Sequence, residues 1–172
     1  MVAISRLKNI LIARLITRWP SLAKRFVDSY TPWESEEIPW SAVSKPLGET
    51  TVAIVTTAGV HHREQEPFNM IDPHGDPSYR LLDLSRPLSD LMITHDYYDH
   101  SDADKDLNVV FPIERLREFA EEGVIGGVAR HHVGFMGHVD GPHLHTLVTK
   151  TGPEVAGFLR ETRVDAVLLT PG

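Results

Sequence analysis

Ten histidines and a run of aspartates are the residues of this chain best equipped for chemistry. His61 and His62 follow the apolar run Thr51–Thr56. His95 follows Asp90–Thr94 and opens the segment His95-Asp96-Tyr97-Tyr98-Asp99-His100-Ser101-Asp102-Ala103-Asp104. His131, His132 and His138 follow a weaker strand candidate that starts at Val124. If these strands are parallel, the loops after them share one edge. Histidines gathered there can exchange protons near neutral pH or bind a metal.

The His95 segment supports three readings. The spacing of His95, Asp99 and His100 resembles the metallo-β-lactamase motif, which implies a metal-dependent hydrolase. Tyr97 stands where that motif has a second histidine, and zinc favours imidazole. Asp96, Asp99, Asp102, Asp104 and Asp106 form a calcium-like acidic run, without the glycine and terminal glutamate of an EF-hand loop. The third reading is a solvated acidic loop whose aspartates cap turns and helices. Gly134-Phe135-Met136-Gly137-His138 reads either as a turn with a buried Phe-Met plug or as a binding loop. It carries no Rossmann fingerprint and no phosphate-loop lysine.

These residues need a scaffold. Thr51–Thr56 is β-branched and apolar throughout, as for a strand covered on both faces. Residues 59–87 read as a long irregular insertion, and Asp90–Thr94 as a short strand. Pro112 opens a helix through Glu122 that stops at Gly123. Residues 142–162 read as helical, divided at Gly152-Pro153, and Val164–Leu169 as a closing strand. The alternation predicts an α/β domain over 51–172, with a mostly parallel sheet and flanking helices. Ahead of it, residues 1–27 form a basic amphipathic helix ended by Pro20. Residues 28–50 form a Pro/Trp-rich arm with Trp33 and Trp40.

Composition narrows the options. The net charge is −7 over 172 residues, which disfavours nucleic acid as a partner. Residues 1–27 hold six basic side chains and no acidic one. The rest carries 11 basic against 24 acidic residues, a balance of −13. The N-terminal helix can dock on the body or on a twin subunit, lie on an anionic membrane surface or serve as an organelle-targeting segment. No apolar run reaches the length of a membrane span, and a cytoplasmic location is the default expectation. With no cysteine, the chain has neither a disulfide nor a thiolate of its own.

In order and spacing, Thr51–Val60, Asp76–Arg80, His95–Asn108, Phe111–Leu116, Gly134–Gly137, Gly152–Val155 and Val164–Gly172 resemble the selenoprotein B family of the glycine, sarcosine, betaine and D-proline reductases. The D-proline type is the nearest in pattern, and the resemblance covers about residues 40–172. It implies reductive cleavage of a carbon–nitrogen bond in a small amino acid or amine. It implies a selenocysteine or cysteine directly after Gly172, recycled by dithiols, with no other cofactor in this chain. A partner reductase subunit or a homo-oligomer is expected, with a pyruvoyl group on the partner in the D-proline type. The chain is therefore expected to be a reading cut short at a selenocysteine codon, of low stability and without reductase activity. A non-catalytic interaction fragment is the alternative. The matching positions suggest His61, His95 and Asp99 for catalysis. Asp102, Asp106, Asn108, Phe135, Met136 and Thr170 are the candidates for substrate binding.

Overall fold

The structure is a computed structural model that describes residues 2–19, 21, 24, 28 and 41–172. Helix α1, Val2–Arg18, bears out the N-terminal helix. Its expected stop at Pro20, and residues 29–40 of the expected arm with Trp33 and Trp40, lie outside the described residues.

The body is an α/β unit built around β1, Thr51–Thr56. Three strands run parallel to it. On one side β5, Gly127–Val128, pairs with Thr51 and Val52, and β6, His131–Phe135, pairs with Val55 and Thr56. On the other side β7, Ala166–Thr170, pairs with Val52–Thr56 along its whole length. Strand β3, Tyr79–Asp83, lies antiparallel on β6. A separate antiparallel pair is formed by β2, Val60–His62, and β4, Leu91–Ile93.

Alternation along β1 creates two cores. Val52 and Ile54 pack with Leu82, Phe111, Ile113 and Leu116. The last two belong to α2, Ile113–Glu121. Ala53 and Val55 pack with Val133, Phe135, Val155 and Leu159 on the opposite face. Burial on both faces explains the unbroken apolar run of β1.

Several expectations change. Residues 59–87 are not one irregular insertion, because β2 and β3 lie within them. The weak strand is split into β5 and β6, and β6 continues through Gly134 and Phe135. His131 and His132 therefore start a strand and do not follow one. At the split, His132 Nδ1 accepts the Ile54 N–H at 2.8 Å, and Nε2–H donates to the Ala129 carbonyl at 2.9 Å. The side chain thus fills the gap between β5 and β6, the one side on which Ile54 has no strand partner.

Gly152-Pro153 does not divide the last helical region. Helix α3, Pro142–Thr146, continues through a π-helical turn, Leu147–Thr151, into α4, Gly152–Glu161. The wider turn delivers Gly152 N–H to the Leu147 carbonyl. Pro153, which lacks an N–H, enters the first turn of α4, where none is needed.

Candidate functional site

Strands β1, β6 and β7 end side by side at Thr56, Phe135 and Thr170. The loops after them are cross-linked through the backbone. Thr57 N–H donates to the Thr170 carbonyl at 2.9 Å, and Gly59 N–H to the Phe135 carbonyl at 2.8 Å. A third segment closes the rim. The carbonyl of Val110 accepts from Thr56 Oγ1 at 3.0 Å and from Thr170 Oγ1 at 2.7 Å. Thr56 Oγ1 also accepts the Ala58 N–H at 3.3 Å.

Two glycines allow the loops to close up. Gly137 has φ +88°, and a Cβ there would stand 2.4 Å from the Thr57 oxygen. A Cβ at Gly172 would stand 2.4 Å from Ala58 Cα. Pro171-Gly172 therefore lies directly on the loop that follows β1. Every N–H of Thr57, Ala58 and Gly59 is already used. This loop offers no free amide to an anion.

The segment after β4 forms the next wall. Tyr98 O–H donates to the Ala58 carbonyl at 3.1 Å, and burial raises its pKa, which keeps the phenol neutral. His95 is buried beside it, ring centroids 4.7 Å apart. Its Nδ1 accepts the Tyr97 N–H at 3.1 Å, and the ring is also hydrogen-bonded to the Met136 carbonyl. Burial first, then repulsion from His100 and His138, lowers its pKa to about 4. His95 is thus a neutral imidazole whose N–H is given to the Met136 carbonyl. Tyr97 stacks on His138 at 4.3 Å, and His138 Nε2–H donates to the Pro73 carbonyl at 2.9 Å.

The other sequence candidates spread out from this rim. His61 is fully buried. Its Nδ1–H donates to the His62 carbonyl at 2.7 Å, and Nε2 accepts from Thr94 Oγ1 at 2.8 Å. Burial lowers its pKa. Asp99 is held below the usual carboxylate range by Ser101. His100 pairs with Asp104 at 2.8 Å, and Asp102 with Lys105 at 2.8 Å. Asp106 caps a short 3-10 turn through the Asn108 N–H at 3.0 Å. Asn108 Oδ1 in turn accepts the Glu114 N–H at 3.0 Å at the start of α2. Phe135 packs against Tyr79, and Met136 is buried with Phe68 and Met70. Among the described residues no group of three His, Cys, Asp or Glu side chains is placed to hold a metal ion. His95, Asp99 and His100 do not assemble into the set that a metallohydrolase needs. Residues 99–108 instead hold capping aspartates and short local ion pairs.

A model of the glycine/sarcosine/betaine reductase selenoprotein B family matches residues 5–172. The chain belongs to this family. The match includes most of α1, which lies beyond the span read from motifs. Among curated members of the selenoprotein B family and their kin, the D-proline reductase subunit gamma of Acetoanaerobium sticklandii is 43% identical over 133 residues, covering 77% of this chain and 53% of that protein. The sarcosine reductase complex component B subunit beta of Peptoclostridium acidaminophilum is 27% identical, covering 66% of this chain and 27% of that protein. The glycine reductase complex component B subunit gamma of Carboxydothermus hydrogenoformans is 28% identical, covering 78% and 31%. The chain thus spans about half the length of the first of these and less than a third of the others. No solved structure matches it. Among the described residues no helix is long and apolar enough to cross a membrane.

Motif reading did not find Thr56, the Val110 carbonyl, Tyr98 as a rim donor, or Arg6. A threonine ending each of two parallel strands was the available signal for Thr56. The pairing of Arg6 with Asp96 spans 90 positions and leaves no trace in local pattern.

Proposed function

We propose that this chain builds the reaction rim of a reductase subunit that cleaves a carbon–nitrogen bond in a small amino acid or amine. The residue after Gly172 in a longer family chain would supply a selenolate or thiolate for attack on the substrate carbon, recycled by a dithiol. The placement of Gly172 carries this reading. It rests on Ala58 where three parallel strands end, the position where open α/β sheets collect ligands.

The chain's own residues hold that position and shape what surrounds it. Thr170 and the Thr57 N–H fix the end of β7 against β1. The loop of β1 has no amide to spare, so stabilisation of an anion falls to groups outside it, such as a following helix N-terminus. His95 is the histidine of this rim. Held neutral, with Nδ1 on the Tyr97 N–H and its own N–H on the Met136 carbonyl, it orders the 95–98 wall. The proton for a departing amine comes from a group or water outside it. His61 supports β2 and Thr94 through both ring nitrogens. Asp99, held by Ser101, and Asp102, paired with Lys105, lie in the acidic segment outside the rim, where they would draw a cationic substrate toward it, and Asp106 and Asn108 brace the start of α2. In the D-proline type, capture of the substrate amine falls to a pyruvoyl carbonyl on a partner subunit.

The test is to translate the gene past Gly172 and produce the subunit with selenocysteine or cysteine at the next position. It is then combined with its partner subunit and a dithiol. D-Proline is assayed first, then glycine, sarcosine and betaine. Substrate-dependent product that disappears when the next position is alanine supports the reading. Equal product from the alanine form, or none from any form, sinks it.

A further inference from the structure

We propose that Arg6 is a positioning residue that acts through Asp96 to hold the reaction rim in place. The inference rests on the reading that chemistry takes place at this edge. Arg6 Nε and Nη2 donate to the two oxygens of Asp96 at 2.6 and 3.0 Å. The Asp96 side chain is 4% exposed, against 46% for Arg6. Among the described residues no other side chain donates to this carboxylate. A planar fork onto two carboxylate oxygens fixes orientation as well as charge. A carboxylate this deep that loses its partner is left uncompensated. The loop conformation that buries Asp96 therefore depends on α1 being docked.

Asp96 lies within the wall of the rim. His95 precedes it and receives the Tyr97 amide, and Tyr98 holds the carbonyl of Ala58, the residue whose Cα Gly172 lies against. The path from α1 to the strand ends is Arg6, Asp96, the 95–98 loop, Ala58, Gly172. Ile10 and Arg14 extend the contact, lining a pocket of about 40 Å³ with Tyr98, Asp99 and His100. Apolar burial does little of the holding. Ala13 is the one buried residue of the described α1 surface, and Leu7, Leu11, Leu15 and Trp19 face outward. The ion pair fixes the register of α1 on the loop.

The experiment uses the subunit extended past Gly172 and compares Arg6→Gln, Arg6→Lys, Asp96→Asn and the Arg6→Gln/Asp96→Asn double variant. Amide exchange at residues 97–101 should speed up about tenfold in Arg6→Gln, less in Arg6→Lys, and return close to wild type in the double variant. Turnover should fall about tenfold in Arg6→Gln and recover in part with lysine, which restores the charge without the fork. Unchanged exchange in Arg6→Gln, or a double variant no better than that single one, overturns the proposal. Faster exchange with undiminished turnover also overturns it. The nucleophile test at the position after Gly172 would be untouched by either result.

Discussion

Strands β1 and β7 lie next to each other, share a register of five residues and are spelled alike, yet their surroundings differ. In β1, Ala53 and Ile54 are fully buried. In β7, Val167 is 40% exposed and Leu169 74% exposed. The outward flank of β7 borders an apolar groove of about 500 Å³ lined by Leu147, Val155, Leu159 and Val164. The same kind of apolar run thus makes a core in one place and a bare edge in the other. Composition states what a strand can bury, and the neighbours determine what it does bury.

Acid should produce the largest contrast. His95 and His132 are held neutral in the fold, each with a pKa lowered to about 4 by burial above all. Unfolded, each titrates near 6.5. Above that value their neutral burial costs nothing. As pH falls from about 6.5 toward 4 the unfolded chain takes up protons that the folded one refuses, so stability drops by up to about 3 kcal/mol for each group. Chemical denaturation at pH 7.5 and at pH 4.5 should show this loss. His132→Gln should reduce the pH dependence, since an amide keeps a hydrogen-bonding head without the titration.

Truncation comes next. Ile54→Ala empties a fully buried site and should cost about 2–5 kcal/mol, whereas Leu169→Ala should stay within about 0.5 kcal/mol. Urea titration of both variants compares the two strands directly, and equal losses would erase the distinction drawn between them. Gly137→Ala should cost about 1–3 kcal/mol, from positive φ and a Cβ pressed onto Thr57. Its melting temperature should fall, whereas that of Gly157→Ala, inside α4 where a Cβ meets nothing, should hold or rise. The smallest effect belongs to Thr170→Val. It removes one hydroxyl from a carbonyl that keeps a second donor, for a loss of about 1 kcal/mol. Thr170→Ser should restore most of it.

Much of the frame was legible in the residues. The apolar runs marked β1, β4 and β7, and Pro112 with Gly123 marked α2, because local chemistry and tertiary role agree in these elements. Agreement failed where tertiary packing overrode local rules. Gly134 reads as a breaker and sits inside β6. Pro153 reads as a stop, and a π-helical turn absorbs it. Tyr79–Asp83 has no clean alternation and is a strand because β6 pairs with it. The site was legible as an edge and less so as a set of side chains. Strand order placed Thr170 at the rim. His95 reaches it although β4 belongs to the separate antiparallel pair and not to the parallel sheet expected, and the acidic spacing of Asp102, Asp106 and Asn108 reflects capping and local pairing. Arg6 was invisible because its partner lies 90 positions away.

The oxygen shared by Thr56 and Thr170 has a mechanical consequence. One acceptor on the 107–110 turn sets the height of two strand termini together. If that turn shifts, both ends shift in step, and the spacing between them is conserved. Pro171-Gly172 thereby keeps its alignment to the β1 loop when the turn moves.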